Sequence, residues 1–262
     1  MKPHQHIIFS LLLLALPSAS WAASSILDTP RHQITATDFK ISGHLVRIDA
    51  AGARLSSNMT IKAHWFPAAE GHAGSLRLFV QLGQPNESHR EMRQNILLEM
   101  NTDGQNTIEI MHPGDTKPQE LPVDKWKQTA IGPGFDIEDF LEPQYNWSSQ
   151  SIAENVKYGA RICDLVTSKP GPSDRTDYSE IRTWLDHTIA FPVYAEKTVK
   201  GSGKIKEFTY LGIRHEEGVW SAHQIEAKLH GQPGSTLLII DRGSAKAHLT
   251  AADFSPAQLA HF

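Results

Sequence analysis

Alternation is the property of this sequence that most narrows what it can fold into. Apolar residues recur at every second position over much of the chain, and turn-forming residues interrupt them at short intervals. Phe39, Ile41, Gly43 and Leu45 alternate with polar positions until Asp49 to Gly52 closes the segment. Met59, Ile61, Ala63 and Trp65 then alternate with Thr60, Lys62 and His64, and Leu76, Leu78, Val80 and Leu82 repeat the pattern. Ile96 to Met100 and Thr107 to Met111 flank Asn101-Thr102-Asp103-Gly104, whose Asp-Gly step is a strong hairpin signal. Strands of this kind, greasy on one face, form an antiparallel sheet that buries one side.

The alternation resumes after Trp147. Ser151 to Tyr158, Arg161 to Thr167, Ser179 to Asp186, Ala190 to Val199, Lys204 to Ile213, Val219 to Leu229 and Ser235 to Asp241 read as strands. Gly201-Ser202-Gly203 and Glu216-Glu217-Gly218 are two of the turns between them. The segments add up to about eleven strands, too many for a flat sheet, because twist curls them towards a barrel or half-barrel. Between the two strand-rich halves, His112 to Gln144 is rich in Pro, Gly and charge. Inside it, Asp136 to Leu141 reads as a short helix with Ile137, Phe140 and Leu141 on one face and acidic residues in its first turn. Asp136, Glu138, Asp139 and Glu142 are read as capping and solvating residues rather than as a glycosidase pair. Ala23 to Thr37 has little apolar periodicity, so no N-terminal helix is expected there. Asp253 to Leu259 reads as a short helix or tail.

Met1 to Ala22 has the form of a secretory signal, with Lys2, an apolar run from Ile7 to Leu16, and small residues at Ser20 and Ala22. Cleavage after Ala22 is expected, leaving 23–262 as one exported β domain. The apolar run is about half of the ~20 residues that a membrane span requires. Cys163 is the single cysteine, so no intramolecular disulfide or cysteine-based zinc site is available, and a buried thiol is expected. Net charge of -4 argues against a nucleic-acid binder with a broad basic face. No G-x-S-x-G elbow, phosphate loop or H-E-x-x-H motif occurs, so neither catalysis nor a cofactor is expected. The chain has 14 histidines, but the spacing of His215, His223 and His230 does not demand a metal site.

From Gly132 to Phe262 the chain resembles the outer-membrane lipoprotein-sorting protein family, relatives of the periplasmic carriers LolA and LolB. The likeness rests on landmarks in order. They are Gly132-Pro133-Gly134-Phe135 followed by Glu138-Asp139, the strand Gly159 to Val166, and Tyr178 to Asp186 with Trp184 and Asp186. Phe191-Pro192-Val193 with Gly203-Lys204-Ile205-Lys206, then Trp220 to Glu226, Ser235-Thr236-Leu237 and Phe254 to Leu259, complete the series. The resemblance implies a mainly β fold, an incomplete, half-open barrel with short lid helices over an apolar cavity. It also implies a periplasmic carrier that shields lipid or lipoprotein acyl chains between membranes, touches membranes transiently and works with an inner-membrane transporter. The alternative is an exported accessory protein that binds a transporter or envelope complex without carrying lipid. Trp65, Leu78, Val80, Phe135, Ile137, Phe140, Leu141, Trp184 and Trp220 are the residues expected to line the cavity or its lid.

Overall fold

A computed structural model describes residues 22–83, 93–127 and 130–261, so the signal-like segment before Ala22 lies outside the described residues. The first half contains α1 (Ala22–Thr35), β1 (Asp38–Ile48), β2 (Arg54–Phe66), β3 (Ser75–Leu82), β4 (Gln94–Asn101), β5 (Thr107–Met111) and β6 (Gln119–Glu120). A linking region follows, with α2 (Val123–Trp126), β7 (Ala130–Gly132), β8 (Phe135–Asp136) and two 3-10 turns, Ile137–Phe140 and Pro143–Asn146. The second half holds β9 (Ser149–Tyr158), β10 (Arg161–Lys169), β11 (Tyr178–Asp186), β12 (Pro192–Val199), β13 (Ile205–Leu211), β14 (Arg214–Glu216), β15 (Val219–Ser221), β16 (Gln224–Leu229), β17 (Ser235–Ser244) and α3 (Pro256–Leu259).

Thirteen strands form one antiparallel sheet, in the order β6-β5-β4-β3-β2-β1-β17-β16-β13-β12-β11-β10-β9. Among the described residues its two ends do not pair, so the barrel stays open. The expected architecture of about eleven strands in an open, curved sheet is what is found, with the two-residue edge strand β6 added, too short to show alternation. The expected segment 204–213 remains one strand, β13, whereas 219–229 divides into β15 and β16, because β15 pairs with β14 in a separate two-stranded ribbon. The first and second halves meet at the β1–β17 pairing. A register shift at Ser42/Gly43 marks that seam, and the carbonyl oxygen of Ile239 lies 1.9 Å from where a Cβ on Gly43 would stand. Only glycine lets the two strands approach so closely at the bend.

The alternation of the first half places one row of side chains on the inner face. Met59 pairs with Leu82, Ile61 with Val80, Ala63 with Leu78 and Trp65 with Leu76, and the row continues to Ile96, Leu98 and Met100 on β4. With Leu45, Ile108 and Ile110, these residues make the main core. Phe79 and Met111 face the other side, where the C-terminal residues Phe254 and Leu259 cover them and Lys62 Nζ donates to Asp253 Oδ1 at 3.0 Å. Cys163 is buried in an outer cluster with Trp184 and Val193.

The N-terminal region departs from the sequence reading. Ala22–Thr35 is a helix. Leu27, Pro30 and Ile34 fall at i, i+3 and i+7 on one side, a stripe too short to register as periodicity. Leu27 packs with Tyr145, Val166 and Leu185, and Arg31 Nε donates to the Tyr145 carbonyl at 2.8 Å. Tertiary docking therefore holds a helix that local propensity does not announce. Among the described residues, no helix is long and apolar enough to cross a membrane.

Candidate functional site

Between the inner face and the segments laid across it lies a cavity of about 540 Å³. Its floor is the inner row of the sheet, including Ile41, Met59, Ile61, Ala63, Leu78 and Met100. Helix α1 contributes Pro30, Gln33 and Ile34 at one side, and the β14–β15 ribbon contributes Val219 and Trp220 at another. The 3-10 turns supply Phe140 and Tyr145 as a cover, while Phe208, Tyr210, Ile225 and Leu238 close the far wall. The lining is chiefly aliphatic and aromatic. Phe135 stands edge-on to Phe140, with ring centres 5.0 Å apart, and 6.1 Å from Phe208, joining lid to wall.

The lid is aimed by a glycine turn. Gly134 has φ +72°, and a Cβ there would stand 2.4 Å from the Lys228 carbonyl carbon. The turn therefore lies against β16, and the following Phe135 points inward, 3% exposed. Asp136 and Asp139 then cap the 3-10 turn reciprocally, with Asp136 N–H donating to Asp139 Oδ2 at 2.9 Å.

The same acids are not solvated, which corrects the sequence reading. Lys197 on β12 and Lys206 on β13 are direct cross-strand partners, 2% and 7% exposed. Two like charges so placed repel unless something negative sits between them. Asp139 does so, with Oδ1 3.1 Å from Lys197 Nζ and Oδ2 2.7 Å from Lys206 Nζ. Lys206 also binds Asp136 and donates to Tyr178 Oη at 2.8 Å. Burial opposes ionisation of Asp139, but Lys206 and Lys197 outweigh it and hold its pKa well below the usual carboxylate range. Burial, with the neighbouring Asp139 charge, pushes Asp136 the other way despite Lys206. Glu138 is buried against Thr176 Oγ1 and the Asp177 N–H, and burial raises it to about 7. Glu142 accepts from Tyr210 Oη at 3.0 Å on the cavity wall, and burial raises it too. The lid is thus clamped to β12 and β13 by charge, while its apolar side faces the cavity.

The expected site residues divide into groups. Leu78, Phe135, Phe140 and Trp220 come together on the cavity surface. Val80, Ile137 and Leu141 are buried in the core, and Trp65 is half-buried against it at the end of β2. Trp184 stands on the opposite face among Tyr158, Tyr194 and Arg182. The physical reason is strand alternation: its neighbour Leu185 takes the inner position beside Tyr145 and Leu27. The reading missed Ile34, Met59, Phe208 and Tyr210. Met59 already belonged to the alternating row of β2, and Phe208 and Tyr210 to that of β13. Ile34 carried no usable signal, because its helix was not foreseen. Among the described residues, no three His, Cys, Asp or Glu side chains gather as metal ligands would.

Comparison with known proteins places the fold. A family model described only as an uncharacterized protein family matches residues 87–261. No curated protein matches the sequence. An outer membrane lipoprotein-sorting protein domain from Vibrio parahaemolyticus is 16% identical, with a TM-score of 0.74 over 90% of this chain and 98% of that one. A DUF1329 family protein from Desulfovibrio piger is 13% identical, with a TM-score of 0.77 over 91% and 98%. A LolA superfamily protein from Nitrosomonas europaea is 15% identical, with a TM-score of 0.64 over 90% and 99%. The half-open sheet with short covering helices is the fold these proteins share with this chain.

Proposed function

We propose that this chain, a member of the family whose model spans residues 87–261 and a bearer of the lipoprotein-sorting fold, is a periplasmic carrier of acyl chains. The observation that carries the reading is the cavity: at about 540 Å³, it falls within the range of about 300–1,000 Å³ typical of small-molecule sites. Its walls are chiefly apolar, with Glu142, Arg214 and Glu216 among the few charged residues that line it. An acyl chain in water exposes roughly 0.8 kcal/mol per CH₂, so a dozen methylenes amount to about 10 kcal/mol. Transfer between membranes therefore needs a shield of this kind, and no bond has to break. In this reading Leu78, Phe135, Phe140 and Trp220 contact the chain directly. Val80, Ile137 and Leu141 support that surface from behind, and Trp65 seals its edge. The signal-like N-terminus supports export, with a membrane transporter as donor or acceptor.

Native mass spectrometry of protein purified from its own compartment tests the proposal. Co-purifying lipid or acylated polypeptide is the expected result. Protein that is empty as isolated and also fails to bind a fluorescent fatty acid would refute it.

A further inference from the structure

Hydrocarbon alone gives a cavity no use for a carboxyl on its wall, since a polar group left unmatched in an apolar space costs free energy. Five acids and one cation nevertheless line this one: Asp38, Asp139, Glu142, Glu216, Glu217 and Arg214. Four of the acids are fully engaged by the protein. Asp38 accepts from the His248 and Leu249 N–H groups at 2.8 and 3.0 Å, and Asp139 lies between Lys197 and Lys206. Glu216 faces Arg214 at 3.3 Å, and Glu217 accepts from the Ala245 N–H at 2.6 Å. Glu142 is the exception. Its Oε1 accepts from Tyr210 Oη at 3.0 Å, and among the described residues no group donates to Oε2.

The position of that oxygen is built. Glu142 is half-buried at the start of the 3-10 turn Pro143–Asn146, and its bond to Tyr210 on β13 fixes the direction of the carboxyl. Because the Tyr210 hydroxyl gives its proton to Glu142, both side chains present only acceptors to the cavity. Lys197 acts on Glu142 from a distance, its Nζ being held by Asp139. Arg214, the one cation on the wall, already faces Glu216. An anionic polar end placed beside Glu142 would find no free cation and would meet a like charge. An ammonium there would meet an opposite charge and a vacant acceptor in a poorly hydrated space, where both count for more. Burial pushes the Glu142 carboxyl towards its neutral form, and a cation at Oε2 opposes that push. Apolar pockets typically use a few such placed polar groups to orient a guest.

Resting on the carrier reading above, we infer that Glu142 selects the guest by its polar end, favouring an amphiphile that ends in a primary ammonium over one of equal length that ends in an anion. Dodecylamine, dodecanol and dodecanoate are titrated below their micellar concentrations, near neutral pH, into the exported protein and its Glu142→Gln and Tyr210→Phe variants, with binding read by calorimetry. The wild type should bind the amine about tenfold or more tighter than the carboxylate, with the alcohol between them. Glutamine keeps an oxygen for Tyr210 but removes the charge, so in that variant the preference should disappear. Tyr210→Phe cuts the bond to the wall but keeps the charge, so there the preference should survive. Equal affinity of the wild type for all three ligands overturns the inference and leaves the carrier intact, and this comparison needs neither variant to fold. A preference that survives Glu142→Gln, or that is lost equally in Tyr210→Phe, also overturns it, because the charge of Glu142 is then not the selector. Failure of all three ligands to bind the wild type overturns the carrier reading itself.

Discussion

Lys206→Met isolates what clamps the lid. The substitution keeps an unbranched side chain of similar length but removes the cation that Asp136 and Asp139 share, 2.7 Å from Asp139 Oδ2. Asp139 retains Lys197 at 3.1 Å, while Asp136 retains only its capping contacts. Removing one partner of a buried ion pair typically costs about 3–5 kcal/mol, because the remaining charge stays desolvated. For a chain of this size that is a fall of roughly 10 °C in Tm. The pH dependence gives the sharper signature. A carboxylate whose folded pKa is depressed contributes stability above its unfolded value of about 3.9, and this is lost as pH falls through the folded value. Without Lys206 the folded pKa values of Asp139 and Asp136 rise, so the variant's deficit is largest near neutrality and narrows towards pH 4. Urea unfolding followed by tryptophan fluorescence at pH 7 and pH 4.5 measures both terms. A deficit below about 1 kcal/mol at pH 7, or one that grows on acidification, would refute the clamp. Because Lys206 does not line the cavity, weaker binding of an acyl probe by the folded variant reports loosening of the lid.

Ile225→Trp fills part of the cavity from a half-buried position on its wall. It should reduce acyl-probe affinity by tenfold or more in a fluorescence titration while changing stability by only about 1–3 kcal/mol. Glu138→Gln tests the carboxyl raised to about 7. Its folded pKa lies above the unfolded one, so its contribution is present below about 4.5 and lost as pH rises through about 7. Denaturation midpoints should therefore show the glutamine variant gaining on the wild type between pH 5 and pH 8, by up to about 3 kcal/mol, and a constant difference would contradict this. Gly43→Ala places a methyl against the Ile239 carbonyl at the seam between the two halves. A loss of more than about 2 kcal/mol in chemical unfolding is expected, and a neutral result would show that the bend relaxes freely.

Legibility in the sequence followed the range of the interactions. The rows on β1 to β5 were readable because one face is buried and the period is two, so register and burial are written locally. The turns at Gly201–Gly203, Glu216–Gly218 and Asn101–Gly104 were readable for the same reason. Helix α1 was not, since its stripe of Leu27, Pro30 and Ile34 acquires meaning only against Tyr145 and Leu185, far along the chain. The acids at 136–139 were misread for a related reason. Acids at a turn start ordinarily face water, and so do lysines on strands. Only the fold brings Lys197 and Lys206 beneath them.

That pairing bears on why an apolar cavity can persist. A lid anchored by its own greasy face would collapse into the space below it, because each buried methylene gains about 0.8 kcal/mol. Here the charged side of the 136–139 turn is held by Lys197, Lys206, Thr176 and Tyr178, which fixes its height without consuming Phe140. Tyr210 similarly engages Glu142 from the wall. Separating the anchoring chemistry from the lining chemistry leaves the apolar surface available to a guest. It also makes the clamp and the cavity independently breakable, so Lys206→Met and Ile225→Trp should fail in different assays: the first chiefly in stability near neutral pH, the second chiefly in acyl binding.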